Sequence, residues 1–272
     1  MACRILGVMA ETDLLRVRDV LTTQVFRNLE ILPRAGSTND VAKALAGEGA
    51  PEGTVVVADE QTAGRGRLER RWLAPPGTCL LCSLLFRPEL LPARAQWLTM
   101  LCAMAAADAV DQVAALQVAL KWPNDLIVEA PGGWRKLAGI LTETGIAGER
   151  LTYVVVGVGI NVNVPHDVLP TLAPDATSLL AEMGREIDRA ALLAAFLAGV
   201  ERRYQALGEG TSPHPEWAGR LATLGQPVRA ITSGETITGV AESVDEDGAL
   251  LLRTPDGTRH RFLAGDVTLD RA

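Results

Sequence analysis

The chain has 272 residues, 48% hydrophobic, 22% charged and only 4% aromatic, a make-up that fits a folded protein with room for one large domain and one small one. Its formal net charge of −7 argues against general affinity for nucleic acid or for an anionic membrane surface. The longest apolar stretches, such as Trp97 to Val110, are broken by Asp108 and too short to span a bilayer, and no apolar secretory segment is evident near Met1.

These features lead us to expect a cytoplasmic protein. Its four cysteines, Cys3, Cys79, Cys82 and Cys102, fit reduced thiols better than a disulfide framework. Cys79 and Cys82 form a CxxC pair inside an apolar run, where residues three apart on a strand face opposite sides, so no metal or redox role is expected. Only three of the 26 basic residues are lysines, Lys43, Lys121 and Lys136; a lysine kept in so arginine-rich a chain is a candidate for a place arginine cannot fill.

In chain order, residues 13–30 read as an irregular helix. Gly36 to about Gly47 reads as an amphipathic helix whose start, Ser37-Thr-Asn-Asp40, serves either as a capping box or as a polar ligand site at a helix N-terminus. Gly53 to Asp59 is a buried strand that delivers the chain into the segment from Asp59 to Trp72, which carries four arginines and two glycines. That segment is either a solvated surface loop or an anion-binding loop, with Gly64 and Gly66 letting the backbone approach a ligand. Thr78 to Phe86 is a strand, and Ala95 to Ala115 a long apolar helix. Val118 to Lys121 leads into Lys121-Trp-Pro-Asn-Asp-Leu126, where Pro-Asn-Asp is a tight turn. Lys136 to Thr144 and Leu151 to Val164 are strands. Glycines inside the latter, Gly157 and Gly159, mark a close approach of a ligand or another part of the chain.

Ile187 to Gly208 is an amphipathic helix and Glu216 to Leu224 a shorter one. From Gly225 onward the pattern changes to short alternating runs, Val228 to Ile231, Thr236 to Ala241, Ala249 to Leu252 and Arg259 to Leu263, separated by Ser-Gly and Asp-Gly turns. This pattern predicts a small antiparallel barrel. With eight acidic and five basic residues, it points to a structural or interface role. No Walker A sequence, GxSxG elbow, HExxH helix or complete GxGxxG fingerprint occurs, and His166, His214 and His260 are isolated.

Five blocks in order, Ser37–Asp40 (STND), Gln61–Arg67 (QTAGRGR) with Trp72, Lys121–Leu126 (KWPNDL), Lys136–Leu141 (KLAGIL) and Gly157–Asn163 (GVGINVN), resemble biotin protein ligases. The resemblance covers about residues 30–272. It implies an α+β catalytic domain, a mixed β-sheet flanked by helices similar to class II aminoacyl-tRNA synthetases, over residues 1–224, and an SH3-like barrel over 225–272. It also implies the monofunctional form, with residues 1–30 as an extension too short for a helix-turn-helix domain. The activity implied is ATP-dependent formation of biotinyl-5′-AMP, with Mg²⁺, and transfer to a lysine of the biotin carboxyl carrier domain of acetyl-CoA or a related carboxylase. The protein would act as a monomer or homodimer, without nucleic acid or membrane.

Carried over by position, Ser37, Thr38, Asn39, Gln61, Arg65, Gly66, Arg67 and Lys136 would bind biotin. Gly64, Arg65, Arg67, Arg70, Trp72, Lys121, Asn124, Asp125 and Asn161 would bind ATP or the adenylate. Lys136, Arg67 and Arg65 would be the catalytic cations, with no metal ligands assigned. Glu69 departs from the family's Gly-Arg-Gly-Arg-x-Gly-Arg pattern, which has glycine there. Three rival readings are a lipoate or octanoate ligase of the same fold, which lacks the combined GRGR and KWPND blocks, a biotin-responsive DNA-binding repressor, which needs a DNA-reading domain, and a non-catalytic adaptor, which would exchange no pyrophosphate.

Overall fold

The structure is a computed structural model that describes residues 12–131, 133–232, 235–263 and 265–269. Cys3 and residues 1–11 of the expected extension lie outside the described residues. A seven-stranded mixed sheet forms the body. It comprises β1 (Asn28–Leu32), β2 (Thr54–Ala58), β3 (Cys79–Phe86), β4 (Ala119–Lys121), β5 (Asp125–Ala130), β6 (Gly133–Ala147) and β7 (Arg150–Asn161), in spatial order β1-β2-β3-β7-β6-β5-β4. Only β1 and β2 are parallel; every other neighbouring pair is antiparallel.

The helices are α1 (Val17–Val20), α2 (Thr38–Gly47), α3 (Gln96–Ala114), α4 (Leu169–Leu172), α5 (Leu179–Met183), α6 (Arg189–Gly208) and α7 (His214–Gly219). No helix of the described residues is long and apolar enough to cross a membrane. Strand alternation divides the sheet into two faces. Leu80, Cys82, Leu84 and Phe86 of β3 and Val154, Val156, Val158 and Ile160 of β7 join α3 and α6 in the main core. On the other face, α2 packs on Val56, Leu85 and Val155, while Cys79 and Leu81 meet Val164 and Leu169. Between these two patches that face is left open.

Cys79, Cys82 and Cys102 are free and buried, and burial pushes the Cys79 and Cys82 thiols up to about 11 and about 12, which leaves them inert. Cys79 and Cys82 lie on opposite faces, as expected for a strand.

The chain departs from the sequence reading where long-range contacts override local pattern. Residues 13–30 do not form one helix. A 3₁₀ turn (Asp13–Arg16) runs into α1, and the chain then turns, with the Glu201 carboxylate accepting from the backbone N–H of Gln24 (2.9 Å) and Val25 (3.0 Å). This lets Asn28–Leu32 pair with β2 as an edge strand and bury Phe26 and Leu29. The helix expected at Glu216 to Leu224 is instead His214–Gly219, because Leu221 leaves it to bridge Leu120 beside β4. β7 stops at Asn161, where the N–H groups of Val162 and Asn163 turn to the Thr78 carbonyl.

The C-terminal strands β8 (Pro227–Thr232), β9 (Glu235–Val244), β10 (Leu250–Arg253), β11 (Arg259–Phe262) and β12 (Asp266–Leu269) form a second, antiparallel sheet in the order β11-β10-β9-β8-β12. β12 has no counterpart in the sequence reading. Two indoles hold the β9–β10 turn of this sheet against the body: Trp97 Nε1 donates to the Glu246 carbonyl (3.0 Å) and Trp122 Nε1 to that of Gly248 (2.9 Å). Gly248 has φ +81°, the left-handed region that favours glycine, and lies against the end of the Met100 side chain.

Candidate active site

The open face of the sheet is built from three rows of residues that cross β3, β7 and β6. Ser83, Gly157 and Leu141 pair side by side, as do Leu81, Gly159 and Gly139 on one side of them and Leu85, Val155 and Glu143 on the other. The glycines make room for side chains that lie flat on the sheet. A Cβ on Gly157 would come within 2.2 Å of Asn39 Oδ1, and one on Gly159 within 2.7 Å of the Trp72 ring. The close approach foreseen from Gly157 and Gly159 is therefore made by Asn39 and Trp72.

The N-terminus of α2 ends on this face. Ser37 has the extended backbone of an N-cap but makes no side-chain cap bond, and Asp40 is bonded to Lys43 and Arg65, so the capping-box reading is overturned. The Thr38 N–H instead donates to Gln61 Oε1 (2.7 Å), which also accepts from Thr38 Oγ1 (3.1 Å). Buried Ser83 donates one Oγ–H, with Thr38 Oγ1 (2.8 Å) and Asn39 Oδ1 (2.6 Å) both in range. Asn39 Nδ2 donates to the Leu141 carbonyl (3.2 Å) and to Glu143 Oε2 (2.8 Å). Glu143 also meets Lys43 (2.6 Å) and Arg65 (3.0 Å), and Arg65 is bidentate to Asp40 (3.0 and 2.7 Å). Partial burial pushes the Asp40 and Glu143 carboxyls up, but the bonds from Lys43 and Arg65, joined at Glu143 by Asn39, outweigh it and leave both below the ordinary range. Sequence reading gave Glu143 and Ser83 no role; their one local signal is a polar residue on an otherwise apolar strand face.

The arginine segment is a small hairpin. Trp72 N–H donates to the Gly64 carbonyl (2.9 Å), Gly66 N–H to that of Arg70 (2.7 Å) and Arg70 N–H to that of Arg67 (3.1 Å). The turn residues Leu68 and Glu69 have φ of 53° and 60°, the positive values of the mirror-image hairpin turns that favour Asn-Gly. Gly64 is required because a Cβ there would stand 2.6 Å from the Trp72 carbonyl, whereas Gly66 has ordinary space around it.

At the other end of the face, Lys121 and Asn124 flank the β4–β5 turn, and the Lys136 ammonium lies 2.7 Å from Asp125 Oδ1 and 5.8 Å from the Trp72 ring centroid. Among the described residues no hydrogen-bond donor is aligned on Asp125 Oδ1 despite that short ion pair. Lys121 makes no side-chain hydrogen bond or ion pair among the described residues. Arg67 reaches across to Asn124 Oδ1 (3.4 Å) and to the Gly265 carbonyl of the C-terminal sheet (3.3 Å). Asn161 is spent on structure, donating to the Thr177 carbonyl at 2.9 Å. Together these groups line a cleft of about 600 Å³, a ligand-sized volume, with Val267 and Thr268 of β12 on its rim. Every site residue predicted from sequence lines it except Gly64, which acts through Trp72. One end offers hydroxyls and amides, the middle an indole over glycines, and the other end cations beside one carboxylate.

Residues 31–161 match the Biotin/lipoate A/B protein ligase family, and residues 223–270 match the Biotin protein ligase C terminal domain. The bifunctional ligase/repressor BirA of Bacillus spizizenii is 38% identical over 97% of this chain and 80% of its own length. This chain belongs to the biotin protein ligase family. The biotin–[acetyl-CoA-carboxylase] ligase of Mycobacterium tuberculosis is 35% identical over 89% of each chain. Among solved structures, the biotin protein ligase of Aquifex aeolicus in complex with biotin and ATP superimposes with a TM-score of 0.72 at 30% identity, covering 91% of this chain and all of that one. Family membership accounts for the order of the five sequence blocks, and the fold brings all five to one cleft.

Proposed function

We propose that this chain joins biotin to ATP, releasing pyrophosphate and forming biotinyl-5′-AMP, and then passes the biotinyl group to a lysine of a biotin carboxyl carrier domain of acetyl-CoA or a related carboxylase. The observation that carries this reading is the convergence of the α2 terminus, the arginine hairpin and Lys136 on one cleft. Ser37, Thr38 and Gln61 offer hydroxyl and amide groups to a polar ring, and the Trp72 indole offers an apolar wall. A carboxylate is a poor acyl donor until it has attacked the α-phosphate of ATP, and the charge gathered there needs fixed cations. Lys136 would stand between biotin carboxylate and phosphate, with Arg67, Arg70 and Lys121 around the phosphates and Asn124 orienting Arg67.

Asp125, a half-buried carboxylate met at Oδ1 by the Lys136 ammonium, is the acidic group of the cleft that would hold a Mg²⁺ ion, which takes one or two carboxylates beside substrate phosphates; when bound, the ion would neutralise phosphate charge. The hairpin over the cleft would keep water from the labile acyl-adenylate. We divide the chain at residues 224 and 225 into catalytic and C-terminal domains and assign the protein to the cytoplasm. The test is incubation with ATP, Mg²⁺, labelled biotin and a carrier domain. Label should reach the carrier lysine, and labelled octanoate or lipoate should not. A folded protein that leaves a competent carrier unlabelled would overturn the proposal.

A further inference from the structure

We infer that Glu143 is a positioning residue of the cleft: its carboxylate joins Asn39 on the cleft floor to Arg65 in the hairpin stem, so that one ion-paired link sets both. The inference rests on the reading of the cleft as the biotin and adenylate site. Glu143 is not among the residues lining the cleft, so it acts through its neighbours. Its two oxygens accept from Asn39 Nδ2 (2.8 Å), Lys43 Nζ (2.6 Å) and Arg65 Nη2 (3.0 and 3.3 Å). A carboxylate serves three donors at once because it accepts only, whereas an amide would turn a donor toward one of them.

Asn39 is thereby fully committed. Ser83 faces its oxygen, while Leu141 and Glu143 take its N–H groups. Its amide cannot rotate without breaking a bond to each. Arg65 is committed as well, bidentate on Asp40 and bonded again to Glu143. The four charges, Asp40 and Glu143 against Lys43 and Arg65, balance. Arg65 is thus the tether of the hairpin to α2 and β6, which leaves Arg67 as the arginine that spans the cleft to Asn124.

The test uses the full chain with Glu143→Gln and Asp40→Asn. Three quantities are read: biotin-dependent ATP–pyrophosphate exchange at saturating substrates, the release rate of preformed biotinyl-adenylate, and tryptic cutting of the hairpin without ligand. For Glu143→Gln we expect release and cutting about tenfold faster, as for loss of charge-assisted bonds, with a raised KM for biotin and exchange within about threefold. Asp40→Asn touches Arg65 but not Asn39, so it should quicken release and cutting and leave the biotin KM unchanged. The double variant should release faster than either single variant, by a factor that departs from the product of the two, since both carboxylates hold the same arginine.

Unchanged release and cutting in Glu143→Gln would overturn the inference, as would exchange lost more than tenfold with release unaltered, because the carboxylate would then act on the reactants. If Glu143→Gln does not fold, Asp40→Asn decides: its side chain is 49% exposed, and an unaltered release rate there overturns the tether. A parent protein with no biotin-dependent exchange would sink the biotin reading, and the tryptic arm would still judge the tether.

Discussion

Gly157→Ala tests the geometry of the site most directly. The added Cβ would lie 2.2 Å from Asn39 Oδ1, 2.9 Å from Cγ and 3.1 Å from Nδ2, so the amide must move by roughly 1 Å to reach van der Waals contact. Asn39 is 3% exposed and cannot shift into solvent. The move breaks the bonds with Ser83, the Leu141 carbonyl and Glu143. At about 1 kcal/mol for each neutral bond and about 2 for the charged one, offset by about 0.5–1 kcal/mol from replacing glycine in a strand, the net loss is about 3 kcal/mol. Urea unfolding should report that loss, and calorimetry should show biotin affinity falling by at least about tenfold, equivalent to about 1.4 kcal/mol. Gly47→Ala, with nothing within 4 Å of the new Cβ, is the matched control and should be neutral or slightly stabilising. A Gly157→Ala protein as stable as the parent, with biotin affinity within about twofold, would refute the account of why this strand carries glycine.

Lys136→Arg keeps the charge but forces a flat guanidinium beside Asp125, Trp72 and Gly139; adenylate formation should slow by at least about tenfold, or about 1.4 kcal/mol, with the unfolding midpoint unchanged, and exchange within about twofold of the parent would remove Lys136 from the catalytic set. Arg67→Gly loses the contacts to Asn124 and Gly265 and should leak activated biotin onto unintended lysines; mass spectrometry finding no more stray label than with the parent would reject its role in retention. Glu69→Gly relieves a left-handed residue at about 1 kcal/mol, partly offset by added unfolded-chain entropy, so the hairpin of the ligand-free protein should be cut more slowly by trypsin; faster cutting would contradict this. Asp40 and Glu143 are partly buried, yet their bonds with Lys43 and Arg65 hold both carboxyls below the ordinary carboxylate range, so the stability they lend is complete above that range and is lost as pH falls through the lowered values. The gap in melting temperature between the parent and Asp40→Asn should stay constant from about pH 8 to 5 and close below about pH 4; a gap that persists in acid would show that the ion pairs do not cause it.

Much of this protein is written locally. The eight-residue run CLLCSLLF reads as a strand because both faces are buried, and the nearly all-apolar stretch after Ala95 reads as a helix enclosed on every side. The five blocks carry the family resemblance without any coordinates, and the scarcity of lysine singles out Lys43, Lys121 and Lys136, of which Lys121 and Lys136 line the cleft. Periodicity and composition supply such information because they fix which face of an element turns inward.

They do not say what that face meets. The first segment after Thr12 has enough apolar residues for a helix, yet Asn28–Leu32 is a strand because β2 offers an edge and Glu201 ties down the turn before it. Ser37 and Asp40 have capping-box spacing, but Gln61 takes the helix N–H and Arg65 takes the carboxylate. Gly157 and Gly159 signal that something comes close; that it is Asn39 and Trp72 follows only once β3, β7 and β6 are laid side by side. Glu143 stands 104 residues from Asn39 and 78 from Arg65. Hydrogen-bond partners separated by such spans are chosen by the register of strands and the docking of a helix, which no local pattern records.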